Sequence, residues 1–373
     1  MRKIVFISSS ESVPWGGSEY CWSAAAERFA RSGVKVHVSV LDWGTPVKQI
    51  EFLKSLGCRI FPRPQRSLAE RIRRRFLLMN RYEWHHVKRI GAGSDLIVIA
   101  QGGNTDGFLW MEAAKSHGYR YAVIAEGAPD AVWPPDDVSE RLAECYESAC
   151  GAYFVSHANV VLTRRQFATP LKKARVIRNP FNVHYDARPP WPGDATKELS
   201  LAYIARLDVG GKRQDLICEV LGLPHWRKRS VIVSFVGHGP NEQALRRLVK
   251  SLNLTNVCFT GFANDIEQVW SRHHALVFSS RNEGMPLSVV EAMLCGRPCI
   301  ATDVGGNREL IRDNVNGFLA KAPTVELLND AMDRAWENRH RLREMGEAAA
   351  RDVRLWVTPD PTSDFVRELD ALG

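Results

Sequence analysis

The sequence predicts an α/β protein that contains two doubly wound parallel-sheet domains. Three observations lead to this fold class: a length of 373 residues, short apolar runs that alternate with helical stretches, and a proline-rich break near residue 190. A chain of this length suits two domains of roughly 150 to 200 residues each better than one core. Strands that alternate with helices favour parallel sheets with helices on both faces.

The N-terminal half supplies the first set of strands. Each is a nearly continuous apolar run, as expected for a sheet that is covered on both faces. A helix is expected over residues 19–32, after the first strand. The candidate strands are 3–8, 34–41, 58–61, 96–100, 121–125, 152–156 and 174–177.

The segment Arg188–Asp194 marks a break in this alternation. Its three prolines and one glycine cannot continue a helix or a central strand. Beyond it the alternation restarts, with candidate strands at 200–205, 231–236, 257–260, 275–278 and 298–301. We therefore predict a first domain over 1–187, a linker over 188–198, a second domain over 199–355, and a C-terminal helix within 356–373 that crosses back to the first domain.

Composition places the chain among soluble globular proteins. No stretch reaches the ~18 uninterrupted apolar residues of a membrane span, and polar serines interrupt the N-terminus too early for a signal peptide. We therefore expect a cytoplasmic protein. None of the eight cysteines has C-x-x-C spacing, so neither a disulfide nor a zinc site is expected.

The net charge of +8 favours an anionic partner, and the segment from Arg63 to Arg89 carries nine of the basic residues. Such a basic amphipathic helix would fit an anionic surface at the inner face of the cell membrane. The alternative is the solvated basic face of a helix packed on its own domain. No recognisable nucleic-acid-binding motif accompanies the charge, so nucleic acid is not expected as a partner. The apolar positions at helical spacing are Leu68, Ile72, Phe76 and Met79.

The most informative stretch is EGMPLSVVE, which runs from Glu283 to Glu291. A β-prone run precedes it and a helix is predicted over 287–294, so the local structure is strand, turn, helix. The first amides of such a helix, at Leu287 and Ser288, carry a partial positive charge and bind phosphate well. Carboxylates beside that phosphate can bind sugar hydroxyls. Two solvated glutamates in a surface turn are the alternative, and the more common one for an arbitrary pair.

Two glycine-bearing turns add weaker signals. Gly16 and Gly17 follow the first strand, where they let the backbone approach a ligand, although an ordinary strand-to-helix turn has the same composition. Gly237 begins a turn that lacks the third glycine of a dinucleotide fingerprint, so it is expected to line a site without binding NAD.

Arg206 and Lys212 are candidate phosphate ligands. They lie six positions apart after the first strand of the second domain, and two such cations can neutralise a diphosphate. The alternative is a solvated basic loop. Neither a P-loop nor the D-x-D carboxylate pair that holds Mg²⁺ or Mn²⁺ occurs, so no metal cofactor is expected.

Together these motifs resemble the retaining, nucleotide-sugar-dependent glycosyltransferases of family four, also called glycosyl transferases group one. The resemblance rests on GGSE, VIRNPFN, ARLDVGGKRQDL, FVGHGP, FTGF and above all SSRNEGMPLSVVEAMLCGRPCIATDVGGNREL. It implies the GT-B architecture, in which two Rossmann-like domains face one another across a cleft. It also implies transfer of a sugar from a nucleoside-diphosphate sugar to a glycan or lipid-linked acceptor, in polysaccharide or glycoconjugate biosynthesis.

The resemblance also assigns roles to residues. Arg206 and Lys212 would bind the diphosphate of the sugar donor, Glu283 would contact the transferred sugar, and Glu291 would hold the ribose hydroxyls. Similar enzymes often carry a histidine after a mid-domain strand of the first domain, where this chain has Glu126 on the acceptor side. The residues whose amides would meet sugar and phosphate are Gly284, Met285, Pro286, Leu287 and Ser288.

His157 and His184 have no spacing partner and are expected to be structural.

The alternative function is that of a non-catalytic protein that binds sugar nucleotides or nucleic acid on the same scaffold. Release of UDP or GDP would distinguish the enzyme from this binding protein.

Overall fold

The computed structural model describes residues 2–11, 13–65 and 81–372. The chain forms two compact units: Met1–Pro180 with Asp360–Gly373, and Phe181–Pro359. The segment 188–198, which the sequence marks as a linker, belongs to the second unit. The C-terminal helix belongs to the first.

Seven strands form the sheet of the first unit, and all of its neighbouring strands are parallel. Numbered along the chain, they are β1 (Lys3–Ser8), β2 (Lys35–Leu41), β3 (Arg59–Arg63), β4 (Leu96–Gln101), β5 (Tyr121–Ala125), β6 (Gly151–Phe154) and β7 (Ala174–Val176). Their order in the sheet is β3-β2-β1-β4-β5-β6-β7. The described helices of this unit are α1 (Gly17–Arg31), α2 (Lys48–Ser55), α3 (Arg81–Gly91), α4 (Phe108–Ser116), α5 (Asp136–Ser148) and α6 (His157–Phe167), with a last helix near the C-terminus.

Six strands form a second parallel sheet in the second unit. They are β8 (Leu199–Ile204), β9 (Val231–Val236), β10 (Val257–Gly261), β11 (Ala275–Phe278), β12 (Cys299–Thr302) and β13 (Gly317–Ala320), in the order β10-β9-β8-β11-β12-β13. The helices of this unit are α7 (Val209–Lys212), α8 (Gln214–Gly222), α9 (Glu242–Ser251), α10 (Ile266–Trp270), α11 (Leu287–Leu294), α12 (Asn307–Leu310), α13 (Val325–Glu337) and α14 (Leu342–Trp356).

Burial explains why the strands could be predicted from the sequence. Side chains alternate between the two faces of a strand. In β1, Val5 and Ile7 join one apolar cluster while Ile4 and Phe6 join another. Because helices cover both faces, every position of β1 is buried and the strand is a continuous apolar run.

The last helix, α15 (Pro361–Asp370), begins with a capped turn: the Asp360 side chain accepts a hydrogen bond from the Ser363 amide. Phe365 and Leu369 are buried in one of the two apolar clusters of the first unit. An ion pair of 2.8 Å joins Arg28 of α1 to Asp360. Apolar burial and this ion pair together attach the C-terminal helix to the first unit.

Arg297 organises the proline-rich segment of the second unit. Its guanidinium is buried, stacks on Trp191 at 4.9 Å, and donates to the carbonyl oxygens of Pro189 (3.2 Å) and Pro190 (2.7 Å). It also donates to the Trp270 carbonyl at 2.8 Å. The Arg297 guanidinium has five N–H donors and thereby satisfies three backbone carbonyls. Two of these belong to prolines, which cannot take part in a regular sheet or helix.

The basic segment predicted from Arg63 to Arg89 is described only at its two ends. The predicted apolar stripe at Leu68, Ile72, Phe76 and Met79 lies outside the described residues. Arg63 ends β3 and is buried, where it donates to the Ser8 carbonyl at 2.6 Å. Among the described residues, no helix is long and apolar enough to cross a membrane.

Candidate active site

The order of the second sheet determines where its loops converge. Strand order reverses between β8 and β11, so the chain leaves these neighbouring strands toward opposite sides. In open parallel sheets, ligands bind at the carboxyl ends of the strands at such a reversal. The loop after β8 carries Arg206 and Lys212, and the loop after β11 carries Glu283. The residues that were predicted to bind phosphate and sugar therefore lie on the two loops that follow β8 and β11.

Hydrogen bonds fix the backbone of the first of these loops. Gln214 Nε2 donates to the Arg206 carbonyl at 2.8 Å, and the Arg281 amide donates to the Gly211 carbonyl at 2.8 Å. The second bond joins the loop after β8 to the loop after β11. The position of Lys212 is thus set by both loops.

Lys212 and Glu283 form an ion pair at this point. Lys212 Nζ lies 2.5 Å from Glu283 Oε1, and the Glu283 side chain is only 9% exposed. The ammonium also lies 5.4 Å from the centre of the Phe278 ring. A nearly buried carboxylate needs a partner, and Lys212 supplies it. Arg206 is more exposed and pairs with Asp208.

The turn from Glu283 to Pro286 is supported by the loop after β12. Gly305 has φ +54°, and a Cβ there would lie 2.1 Å from the Glu283 carbonyl oxygen. The Gly306 amide donates to the Gly284 carbonyl at 2.8 Å. Only a glycine at 305 permits this close approach without moving the turn.

Helix α11 begins directly after this turn and matches the predicted bounds. No side chain caps its N-terminus, where Pro286 is the N-cap residue. The Val289 amide donates to the Pro286 carbonyl at 3.1 Å, so the helical bonds start at that residue. The amides of Leu287 and Ser288 precede it, at the positive end of the helix dipole, as the sequence predicts.

Glu291 lies one turn inside α11 and is 3% exposed. Its Oε1 accepts two hydrogen bonds of 2.9 Å, from the backbone amide and from Nδ2 of Asn182. Burial raises the pKa of the Glu291 carboxyl to about 7, and the two bonds from Asn182 oppose that rise. Near neutral pH this group can therefore exist as an acid or as a carboxylate that accepts bonds from hydroxyls.

Gly237 packs against the loop of Arg206. With φ +139°, a Cβ there would lie 2.2 Å from the Ala205 carbonyl oxygen. Its amide donates to the Gly261 carbonyl at 2.8 Å. Close packing with the β8 loop thus explains the glycine, and the amide is already used by the protein.

In the first unit, Gly16 and Gly17 lie at the start of α1, after β1. A Cβ at Gly16 would lie 3.2 Å from Val13, whereas one at Gly17 would meet nothing within 4 Å. Glu19, two residues on, is buried and accepts from Trp22 Nε1 (2.6 Å) and Ser8 Oγ (3.0 Å). Burial raises the pKa of the Glu19 carboxyl, and both bonds oppose that rise.

Glu126 follows β5 in the same unit. Its Oε2 accepts a bond of 2.6 Å from Asn179 Nδ2, and its Oε1 is inaccessible and has no partner among the described residues. Burial raises the pKa of the Glu126 carboxyl to about 8; the Asn179 bond opposes the rise and the charge of Glu19 adds to it. Glu126 is therefore mostly protonated at neutral pH.

The two histidines named from the sequence are both exposed. His157 begins α6. His184 Nδ1 lies 2.7 Å from Glu267 Oε1, and its side chain is 90% exposed. Among the described residues, no group of three His, Cys, Asp or Glu side chains is arranged to hold a metal ion.

The family model of glycosyl transferases group 1 matches residues 191–352, which is most of the second unit and contains Arg206, Lys212, Glu283 and Glu291. The second unit is a glycosyl transferases group 1 domain. The matched region begins within the proline-rich segment and ends within α14. The predicted family is confirmed over this region.

Two curated relatives are similar to parts of this chain. EpsD of Bacillus subtilis is 32% identical over 151 residues, which is 40% of this chain and 39% of that protein. The poly(ribitol-phosphate) alpha-N-acetylglucosaminyltransferase of Staphylococcus aureus is 27% identical over 54% of this chain and 42% of that protein. The chain thus spans about two fifths of the length of these relatives.

Solved structures extend the likeness beyond the group 1 domain. HepE of Anabaena in complex with UDP superimposes with a TM-score of 0.73 at 18% identity, over 99% of this chain and 100% of that one. At this identity the likeness shows the fold alone. The predicted GT-B fold class, with two Rossmann-like parallel-sheet domains, is confirmed.

Sequence reasoning missed two contributors to the site of the group 1 domain. Asn182 lies 109 positions from the carboxylate that it binds, so no local pattern marks it. Gly305 lies within the long matching motif, but its contact with Glu283 needs a fold to be seen. Asn182 does lie within VIRNPFN, one of the motifs that carry the family resemblance, but that motif names no partner for it.

Proposed function

We propose that this protein is a retaining glycosyltransferase that moves a sugar from a nucleoside-diphosphate donor to a glycan or lipid-linked acceptor. The observation that carries the proposal is the 2.5 Å pair between Lys212 and Glu283 at the strand-order reversal of a group 1 domain. It brings a cation for phosphate and a carboxylate for sugar hydroxyls to one point.

Lys212 suits the diphosphate because its ammonium has three N–H donors and the Glu283 pair uses one of them. Arg206 adds a planar guanidinium on the same loop, and its exposed fraction of 39% leaves it accessible. The amides of Leu287 and Ser288 add the positive end of a helix dipole. In this assignment the protein's own groups neutralise the leaving diphosphate, consistent with a sequence that lacks D-x-D.

The two carboxylates are assigned to different parts of the sugar donor. Glu283 binds hydroxyls of the transferred sugar, and Glu291, one turn into α11, binds the ribose hydroxyls. Charge-assisted hydrogen bonds of this kind are roughly twice as strong as neutral ones. Neither glutamate is assigned as a general acid or base.

The reaction follows from this arrangement. The bond between the anomeric carbon and the diphosphate oxygen breaks, and charge develops on that phosphate, where Arg206 and Lys212 stabilise it. The acceptor hydroxyl attacks the same face of the oxocarbenium-like sugar and passes its proton to the departing phosphate oxygen, so the configuration is retained. Fixed charges directed at a leaving group commonly supply the largest catalytic contribution.

Similar proteins support the acceptor class. The Staphylococcus aureus relative is named for transfer of N-acetylglucosamine to poly(ribitol phosphate), and HepE of Anabaena was solved with UDP. A cell-surface polysaccharide or glycoconjugate is therefore the proposed product, and the acceptor is assigned to the first unit, on the side of Glu126. The Gly16–Gly17 turn and Gly237 are proposed to line the binding site of the sugar donor.

The experiment that tests the proposal has two stages. A thermal-shift screen against UDP, GDP and their sugars identifies the nucleotide, because a ligand that binds only the folded state raises its stability. Release of that nucleoside diphosphate is then measured with and without candidate acceptors. Binding without release in any mixture would favour the rival function, a non-catalytic binding protein.

A peripheral position at the inner face of the cell membrane is proposed from the basic sequence between Arg63 and Arg89. Co-sedimentation with anionic vesicles at low salt, lost at high salt, is the expected result. Absence of co-sedimentation at low salt would remove the membrane from the proposal.

A further inference from the structure

The chain crosses from the first unit to the second through Asn179, Pro180, Phe181 and Asn182. Each asparagine at the ends of this short crossing binds a buried carboxyl of its own unit. Asn179 donates to Glu126 in the first unit, and Asn182 donates to Glu291 in the second. Both carboxyls are among the predicted ligand-binding residues.

The contact of Asn182 with Glu291 is the more specific of the two. The backbone amide and the side-chain amide of one residue both donate to the same oxygen, Oε1, at 2.9 Å each. A carboxylate with one oxygen held from two directions has little freedom to rotate. The other oxygen, Oε2, takes part in neither bond.

The two bonds also affect the charge of Glu291. Hydrogen bonds to a carboxylate favour its ionised form, whereas burial favours the neutral form. Burial raises the pKa of the Cys295 thiol, at the end of the same helix, and the charge of Glu291 adds to that rise. Asn182 is therefore the group that preserves ionisation at a site which burial would otherwise neutralise.

We propose that Asn182 is a positioning residue: it fixes Oε1 of Glu291, so that Oε2 is presented, as part of a carboxylate, to the ribose hydroxyls of the sugar donor. The proposal rests on the proposed function, because the ribose is the ligand assigned there. It adds a residue outside the EGMPLSVVE motif and outside the residues matched by the family model, which begins at residue 191.

The first test needs no ligand. In free protein labelled with ¹³C at glutamate carboxyls, the NMR titration of Glu291 is compared in wild type and in Asn182→Ala. Loss of the side-chain bond, with the backbone bond kept, is expected to raise the pKa of Glu291 by roughly one unit. Asn179→Ala is the matched comparison, and it is expected to raise the pKa of Glu126 and leave that of Glu291 unchanged.

The second test uses UDP, GDP and their 2′,3′-dideoxy analogues as probes in calorimetry. Asn182→Ala is expected to weaken binding of the recognised nucleotide about 10-fold, since one charge-assisted bond is lost or misplaced. It is expected to leave binding of the dideoxy analogue unchanged, because that analogue lacks the hydroxyls that Glu291 holds.

Asn329→Ala serves as the control for a merely structural effect. Asn329 lies in the same unit, where its Oδ1 accepts from Trp226 Nε1 at 2.7 Å and its Nδ2 donates to Asp333 at 2.9 Å, outside the site. Its replacement is expected to lower thermal stability and leave the discrimination between UDP and its dideoxy analogue unchanged.

The outcomes separate the two proposals. If wild type binds neither UDP nor GDP, the proposed function fails and the ribose role fails with it. If wild type binds one of them and Asn182→Ala binds it equally well, the positioning role alone is overturned. Equal weakening for the nucleotide and its dideoxy analogue, or an unchanged pKa of Glu291, also overturns it.

Discussion

Glu126, which follows β5 in the first unit, and Glu291, within α11 of the second, are two carboxyls whose pKa values burial raises and which asparagines of the crossing chain bind. Glu291 receives two hydrogen bonds on one oxygen, and its pKa rises to about 7. Glu126 receives one, lies near the charge of Glu19, and its pKa rises to about 8. Burial is the main cause of both rises, and the two carboxyls differ in the number of donors and in the neighbouring charge.

The carboxyl of Glu283 is stabilised in a third way. It is nearly as buried, but Lys212 pairs with it, so an ammonium rather than an amide or a proton stabilises the carboxyl. A cation beside a carboxylate at the reversal of the second sheet is what a diphosphate sugar requires. A neutral acid such as Glu126 can instead donate a hydrogen bond, which suits an acceptor hydroxyl.

The largest effect is expected at the cationic loop. Lys212→Ala and Arg206→Ala should each lower the transfer rate at least ~10²-fold, because each removes a fixed charge from the leaving diphosphate. Initial rates of nucleoside diphosphate release measure it. Lys250→Ala, on the exposed part of α9, is the control for charge alone; wild-type turnover in either loop variant would remove the phosphate assignment.

The next largest effect is expected at Gly305, which packs against the turn at Glu283. Gly305→Ala should lower transfer by up to ~10²-fold, because a displacement of about 1 Å in a positioned group can cost that much. Its Cβ would lie 2.1 Å from the Glu283 carbonyl oxygen. Gly296→Ala is the matched control: it also has positive φ, but its nearest neighbour is 3.9 Å away. Equal losses in both variants would attribute the effect to backbone strain alone.

The pH dependence of stability sharpens the contrast between the two units. The pKa of Glu126 is raised from 4.5 to about 8, so the folded protein holds a proton that the unfolded chain releases between these values. The free energy of unfolding should therefore fall as pH rises from about 4.5 to 8, by about 5 kcal/mol from this group.

Glu126→Gln should remove that part of the pH dependence, since glutamine does not titrate. Urea unfolding at several pH values, in wild type and in the variant, measures the difference. Parallel curves for the two proteins would show that Glu126 does not bind its proton more tightly when folded.

The smallest effect is expected at Gly17. A Cβ there meets nothing within 4 Å, so Gly17→Ala should change the free energy of unfolding by no more than ~0.5 kcal/mol. If the turn approaches a ligand through its backbone, sugar-nucleotide binding should weaken although stability does not. Thermal unfolding and calorimetry on the same sample separate these quantities; unchanged binding would mark an ordinary strand-to-helix turn.

Much of the fold could be predicted because buried parallel strands are apolar on both faces. The bounds of β1, β5, β9 and β11 and of helix α11 agree with the sequence predictions. Strand β13, Gly317–Ala320, was missed because it begins with a glycine and has no β-branched residue, unlike β11, which is equally short. The first domain was predicted to end at residue 187, whereas the chain leaves the first unit after Pro180 and returns to it at Asp360.

The site, like the fold, could be predicted only in part from the sequence. Arg206, Lys212, Glu283 and Glu291 could be named because the residues of each motif are close in the chain and family resemblance gave them roles. Their pairing could not be predicted, since the contact of Lys212 with Glu283 spans 71 positions and that of Asn182 with Glu291 spans 109. Such distances leave no periodic or compositional signal.

By itself, then, the sequence determined the α/β class, the alternation of strands and helices, and the chemical types of the site residues. Local propensity and burial on two faces fix these properties over a few residues. Tertiary structure alone decided which carboxyl is paired with lysine, which is held by an asparagine and which keeps its proton. Those outcomes depend on burial and on partners from distant parts of the chain, and the pKa of a carboxyl depends on both.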